Sequence, residues 1–291
     1  MTAKTPKAGT AHDSAWLDTM YNNRARVPQY VEHFRRWAAD SAEAMRTHPR
    51  QLDVRYGGGP SEHLDIFPTA QPDAPVLFLI HGGWWRSLDK RDHSYLAPAF
   101  TQEGACVVVP NYALCPAVTI PDITMQMVRA LAWTWRNIAR HGGDPARITV
   151  AGHSAGGHLA AMMLSCLWTA YEPGLPADLV KNALSISGLH DLEPIMHTPH
   201  LQSSLHLTAE QVRKASPALL PPPQRGTLYA VVGADESDEF LRQNRLIRDA
   251  WGARSVPVCE ALPGLNHFTV LESLGEPGLR LNGLALQLLR V

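Results

Sequence analysis

Six short apolar runs recur along this chain in alternation with stretches of helical spacing, and that alternation constrains the fold more than any other feature. The runs are PVLFLI, ACVVVP, RITVAG, ALSISG, TLYAVVG and PVCEAL. Continuous rather than alternating apolar character marks strands buried on both faces of a sheet. Alternation with helices then implies an α/β class protein with a mostly parallel central sheet flanked by helices. Helices are expected near 94–103, 121–140 and 156–169. Ahead of them, QLDVRY and HLDIF flank a Gly-Gly-Gly-Pro turn and read as a hairpin.

The first 50 residues follow a different pattern. Residues 1–12 are small and polar and are expected to be a disordered tail. From Asp13 onward Trp16, Leu17 and Met20, then Tyr30, Val31, Phe34 and Trp37, follow helical spacing, with Pro28 near a helix start. Residues 13–50 therefore read as an N-terminal helical segment, a lid over the pocket or a homodimer contact, and 51–291 as the catalytic domain.

The composition excludes several classes of function. A formal net charge of -1 gives no electrostatic basis for binding nucleic acid or an anionic membrane. No run of about 18 apolar residues is present, so no membrane span is expected. The start of the chain has no apolar signal segment, and the four cysteines follow no paired spacing; reduced thiols and a cytoplasmic location are expected. No HExxH, paired-Cys or Gly-rich dinucleotide motif occurs, and no metal or organic cofactor is expected.

The chemistry concentrates in Gly152-His153-Ser154-Ala155-Gly156, which fits G-x-S-x-G. It joins the strand RITVA directly to the apolar helix GGHLAAMML, as a nucleophile elbow of the α/β-hydrolase fold requires. So tight a turn needs small residues two before and two after the serine, hence Gly152 and Gly156. The helix behind Ser154 aims its free N–H groups at developing negative charge. Upstream, His81-Gly82-Gly83-Trp84-Trp85 follows PVLFLI and matches the loop that supplies an oxyanion hole. Gly82, Gly83 and Ala155 are the expected donors.

Chain order in this fold runs serine, acid, histidine. Of fourteen histidines, His267 follows the last strand and is the expected base. The acid is expected in the loop after TLYAVVG, where Asp235 and Glu236 are both within reach and spacing does not separate them. Trp84, Trp85, His153 and Phe268 are expected at the substrate pocket, with Tyr21 and His93 as further pocket candidates.

HGGWWRSLDK, GHSAGGHLAAMML, ISGLHDLEPI, VVGADESDEFLRQ and NHF together resemble the arylformamidase (kynurenine formamidase) family, itself similar to the hormone-sensitive-lipase branch of α/β-hydrolases. The resemblance spans roughly residues 50 to 275. It implies Ser154 as nucleophile, His267 as base and the HGG loop as oxyanion hole. Matched through EF-RQ, it puts Glu236 at the acidic position, where family members usually carry Asp. Trp84 departs similarly, standing where relatives often have tyrosine. The expected activity is hydrolysis of small carboxylic esters, with aryl formamides of the N-formylkynurenine type as the alternative. A non-catalytic binder on this fold would be expected to have lost the triad or the loop glycines, which are all present.

Overall fold

The computed structural model describes residues 13–290. The expected disordered tail, 1–12, lies outside the described residues.

Eight strands form one sheet: β1 (Gln51–Arg55), β2 (His63–Phe67), β3 (Ala74–Ile80), β4 (Cys106–Pro110), β5 (Gly143–His153), β6 (Val180–Ile186), β7 (Thr227–Gly233) and β8 (Val258–Leu262). Their order is β1-β2-β4-β3-β5-β6-β7-β8. β2 pairs antiparallel with both β1 and β4, and every other pairing is parallel. Every residue of β4 is buried, whereas β1, at an open edge, is almost wholly exposed. Central strands covered on both faces account for the continuous apolar runs.

Thirteen α-helices surround the sheet among the described residues. The first three precede β1: α1 (Ser14–Tyr21), α2 (Asn23–Arg26) and α3 (Tyr30–Thr47). Next come α4 (Ala97–Thr101), α5 (Ile120–Asn137), α6 (Ala155–Leu164) and α7 (Trp168–Tyr171). Between β6 and β7 lie α8 (Glu193–Met196), α9 (Pro199–Leu205) and α10 (Ala209–Ala215). The last are α11 (Asp238–Ser255), α12 (Thr269–Glu272) and α13 (Arg280–Leu289).

The helix expected at 121–140 begins one residue earlier. Thr119 caps it, accepting from the Asp122 N–H at 3.3 Å, while Asp122 accepts in return from the Thr119 N–H at 2.9 Å. It tightens into a 3-10 turn at Ile138–His141, which ends at Gly142 with φ of 83°. The element expected at 94–103 is a 3-10 turn, Ser94–Leu96, followed by α4, whose start Pro98 favours. The one expected at 156–169 stops at Leu164 and resumes as α7.

The N-terminal helices pack against the main body through Leu17, Tyr21 and Trp37, which are buried, while Trp16 and Val31 of the same stripe remain exposed. Helical spacing alone does not say which side of each helix faces the body; packing against it does.

Candidate active site

Strand order changes direction at β3, which lies between β4 and β5. In open α/β sheets, the crevice beyond the carboxyl ends of the strands at such a switch point is where ligands bind. The HGG loop follows β3, Ser154 follows β5, Ser187 follows β6, Glu236 follows β7 and His267 follows β8. One edge of the sheet thus collects residues that are far apart in sequence.

Ser154 sits at φ 56°, ψ −117°, a strained conformation for a residue with a side chain. Its N–H donates to the Ile186 carbonyl at 2.8 Å, and its own carbonyl accepts from the His158 N–H at 3.1 Å. The flanking glycines are required by contact: a Cβ on Gly152 would lie 2.1 Å from the Gly156 carbonyl oxygen, and one on Gly156 2.1 Å from that of Ile80. Ala155 opens α6, where the first N–H groups have no intrahelical acceptor.

The HGG loop is held from behind. The Gly83 carbonyl accepts from Ser87 Oγ at 2.9 Å and the Ser87 N–H at 3.0 Å. The Gly82 carbonyl lies 2.8 Å from His81 Nδ1. Tyr112 stacks on the His81 ring at 4.2 Å and donates its hydroxyl to the His81 carbonyl at 2.9 Å. With the carbonyls engaged, the Gly82 and Gly83 N–H groups make no hydrogen bond among the described residues. Burial, then the charge of His93, lowers the His81 pKa to about 4, so its imidazole is neutral.

The SLDK residues anchor the far end of this loop. Lys90 is fully buried and donates to Asp65 at 2.6 Å and Asp53 at 2.9 Å. Asp89 accepts from Asn111 Nδ2 at 2.8 Å.

His267 donates from Nδ1 to Glu236 Oε2 at 2.6 Å. The other carboxylate oxygen accepts from Ser187 Oγ at 2.5 Å and from the Gly233 N–H at 2.9 Å. Asp235, the alternative, is exposed, and the hydrogen bond from the imidazole goes to Glu236 instead. His153 Nε2 donates to the His267 carbonyl at 2.8 Å, and its ring lies 4.5 Å from the His267 ring. Burial, then the His267 charge, holds the His153 pKa well below the ordinary value, so it serves as a neutral brace.

Ser154 and His267 line one small pocket of about 40 Å³. No hydrogen bond joins them among the described residues; such contacts commonly tighten only when substrate binds. Trp84, His153 and Phe268 also line it. Trp85 does not. It is fully buried and packs edge-on against His158 at 5.1 Å, because positive φ at both Trp84 and Trp85 turns the backbone between them. His93 is likewise away from the pocket, buried between His81 and Trp37. Tyr21 is buried and borders an adjoining chamber. Asn23, Arg24, Phe34, Trp37, Ser87 and Leu88 also line the Ser154 pocket, though none was singled out as a pocket residue. The aromatic spacing of α3 was visible, but not which sheet edge it covers.

DLEPI and EFLRQ meet in one clamp. Gln243 Oε1 accepts from the N–H groups of His190 and Asp191 at 2.7 and 2.8 Å, and its Nε2 donates to the Tyr21 hydroxyl at 3.1 Å. Tyr21 in turn donates to Glu239 at 2.6 Å. Burial, then the Glu239 charge, raises the Tyr21 pKa well above its ordinary value, keeping the phenol a donor. These motifs therefore stitch α1 to the body. No group of three or more His, Cys, Asp or Glu side chains is disposed to hold a metal ion among the described residues.

Comparison with known proteins agrees with this geometry. A family model described as alpha/beta hydrolase fold matches residues 77–267. Kynurenine formamidase of Danio rerio is 30% identical over 82% of this chain and 81% of its own. Esterase LipQ of Mycobacterium tuberculosis is 38% identical over 57% of this chain, and 39% of LipQ is covered. The crystal structure of a candidate thioesterase from Silicibacter sp. superposes with a TM-score of 0.82 at 29% identity, over 92% of this chain and 97% of that one. On fold, site arrangement and similarity alike, the chain belongs to the α/β-hydrolase family of ester- and amide-hydrolysing enzymes.

Proposed function

We propose that this protein is a serine hydrolase that cleaves small carboxylic esters through an acyl-enzyme. The observation that carries the reading is the 2.6 Å His267–Glu236 hydrogen bond in the same pocket as a Ser154 held at a strained strand-to-helix turn.

Ser154 Oγ attacks the substrate carbonyl carbon as His267 Nε2 takes its proton. The carbonyl oxygen, now negative, accepts from the N–H groups of Gly82, Gly83 and Ala155. The bond to the leaving alkoxide breaks as His267 returns the proton to it, leaving Ser154 acylated. Water then repeats the attack, His267 takes the water proton, and the carboxylic acid departs as the serine hydroxyl is restored. Glu236 keeps the proton on Nδ1, leaves Nε2 free to act as base, and stabilises the imidazolium without itself becoming protonated.

The pocket of about 40 Å³ supports a short acyl group. Drug-sized ligands occupy sites of about 300–1,000 Å³ by comparison. The same size supports a second reading, hydrolysis of aryl formamides, since a formyl group is the smallest acyl group. The similarity to kynurenine formamidase over most of the chain favours it as well. In both readings the N-terminal helices form a cap, contributing Phe34 and Trp37 to the wall.

Assaying p-nitrophenyl acetate and N-formylkynurenine with wild type and Ser154→Ala tests both. Wild-type turnover that disappears in Ser154→Ala is expected, and the better substrate selects the reading. Wild type inert on both, or a variant that keeps wild-type rates, would overturn it.

A further inference from the structure

Beside the Ser154 pocket lies a second chamber of about 240 Å³. The two share Asn23, Arg24, Trp84 and Ser87 as common walls. Arg24 and Arg86 border the second chamber, and no carboxylate lines either one among the described residues. Arg24 rests over the rings of Tyr30 and Phe34, 5.3 and 5.5 Å from their centroids. Arg86 donates from Nη1 to the His200 carbonyl and to Ser204 Oγ, both at 2.7 Å. Both acceptors are neutral, so they fix Arg86 without cancelling its charge. Burial, then the positive charge of Arg24, lowers the Arg86 pKa. The two guanidinium groups thus repel one another, and no carboxylate side chain among the chamber's lining residues offsets their charge. The acids that touch the chamber's lining are already engaged: Asp18 with His200 at 2.7 Å, and Glu239 with Tyr21 and Arg242 at 2.6 and 2.8 Å.

Asn23 is a second, independent sign. It is 6% exposed, and its buried Nδ2 has no hydrogen-bond partner. Buried polar groups left unmet are rare in native structures and call for an explanation, such as a missing ligand atom. Asn23 lies on the wall common to both chambers, where a molecule spanning them would pass.

We propose that the second chamber is the leaving-group subsite, and that it takes leaving groups bearing an oxyanion, a carboxylate or a phosphate. Arg24 and Arg86 hold the oxyanion, and the Asn23 amide donates to a polar atom between it and the scissile bond. The Ser154 pocket is the smaller of the two and suits the acyl half, with the remainder of the substrate extending past Trp84 toward the arginines. This assignment rests on Ser154 being the nucleophile.

Three acetate esters that differ in one group test it: p-acetoxybenzoate, p-acetoxyphenyl phosphate and methyl p-acetoxybenzoate. The readout is the ratio of kcat/KM for each anionic ester to that for the neutral one. Arg24→Gln and Arg86→Gln are each expected to lower the ratio roughly tenfold, the scale of one lost charge-assisted hydrogen bond. Arg24→Glu should lower it further, and added salt should compress it in wild type. A loss confined to one anion supports the subsite and identifies the oxyanion. Inhibition by p-hydroxybenzoate, compared with its methyl ester, gives a readout on wild type alone, independent of how the variants fold. Ser154-dependent cleavage of all three esters, with an unchanged ratio and equal inhibition by acid and methyl ester, overturns the subsite but not the hydrolase. No cleavage, with no labelling of Ser154 by a fluorophosphonate, overturns both.

Discussion

The carboxylate beside His267 is engaged at both oxygens, so small changes there should act on rate more than on stability. Glu236→Asp shortens the side chain by one methylene and draws its oxygens away from the imidazole and from Ser187. Misplacing a catalytic group by about 1 Å costs on the order of 10²-fold, and we expect that loss in kcat with little change in KM. Rates near wild type would mean that the loop follows the shorter chain. Ser187→Ala removes the 2.5 Å hydrogen bond to Glu236 while leaving the Gly233 N–H. One hydrogen bond to a charged group contributes about 1.5–3 kcal/mol, so kcat/KM should fall roughly tenfold or more; a lowered unfolding midpoint with unchanged kcat/KM would make Ser187 a packing residue alone. Nothing near Ser187 in the chain advertises this role. It arises because β6 and β7 are neighbours, with the Ser187 N–H donating to the Val231 carbonyl at 2.7 Å.

At the scale of elements, α3 and the SLDK anchor are each held by well-buried contacts. Trp37 is 2% exposed, bonds Glu272 through its indole at 2.9 Å and also walls the pocket. Trp37→Ala should cost about 3–5 kcal/mol, measurable by urea titration, and should also admit longer acyl chains. A destabilised enzyme with unchanged acyl preference would assign Trp37 to packing alone. Lys90→Met leaves Asp65 buried without its cation, and breaking such a pair costs about 3–5 kcal/mol; a stability change under 1 kcal/mol would contradict the anchoring role. The strands, the elbow and the HGG loop were legible because strand burial and tight turns leave local signatures. The clamp of Gln243, Asp191 and Tyr21 was not, since its partners lie more than 50 and 200 residues apart. Trp85 was misread as a pocket residue for a related reason: two positive φ values in succession decide which way adjacent tryptophans point.

Across the whole molecule, several buried histidines tie stability to pH. Burial holds His81, His93 and His158 at about 4 and, with help from the His158 charge, His190 at about 3. In the unfolded chain each titrates near 6.5, so between about 4 and 6.5 the unfolded state binds more protons. Stability is therefore fully present above about 6.5 and is lost as pH falls toward 4, by up to about 1.4 kcal/mol per pH unit for each group. Urea titrations at pH 7.5 and 5.0 should differ by several kcal/mol; a flat profile would show that these histidines protonate in the folded state.

The sequence by itself determined the sheet class, the elbow at Ser154, the HGG loop and the position of His267. Each depends on local pattern: a buried strand must be apolar, and a tight turn must be small. Only the tertiary structure set the Glu236 carboxylate against His267, seated Ser187 behind it, moved Trp85 into the core and brought Asn23 and Arg24 to the wall beside Ser154. Those outcomes depend on which distant segments share a sheet edge, and spacing along the chain carries no record of that.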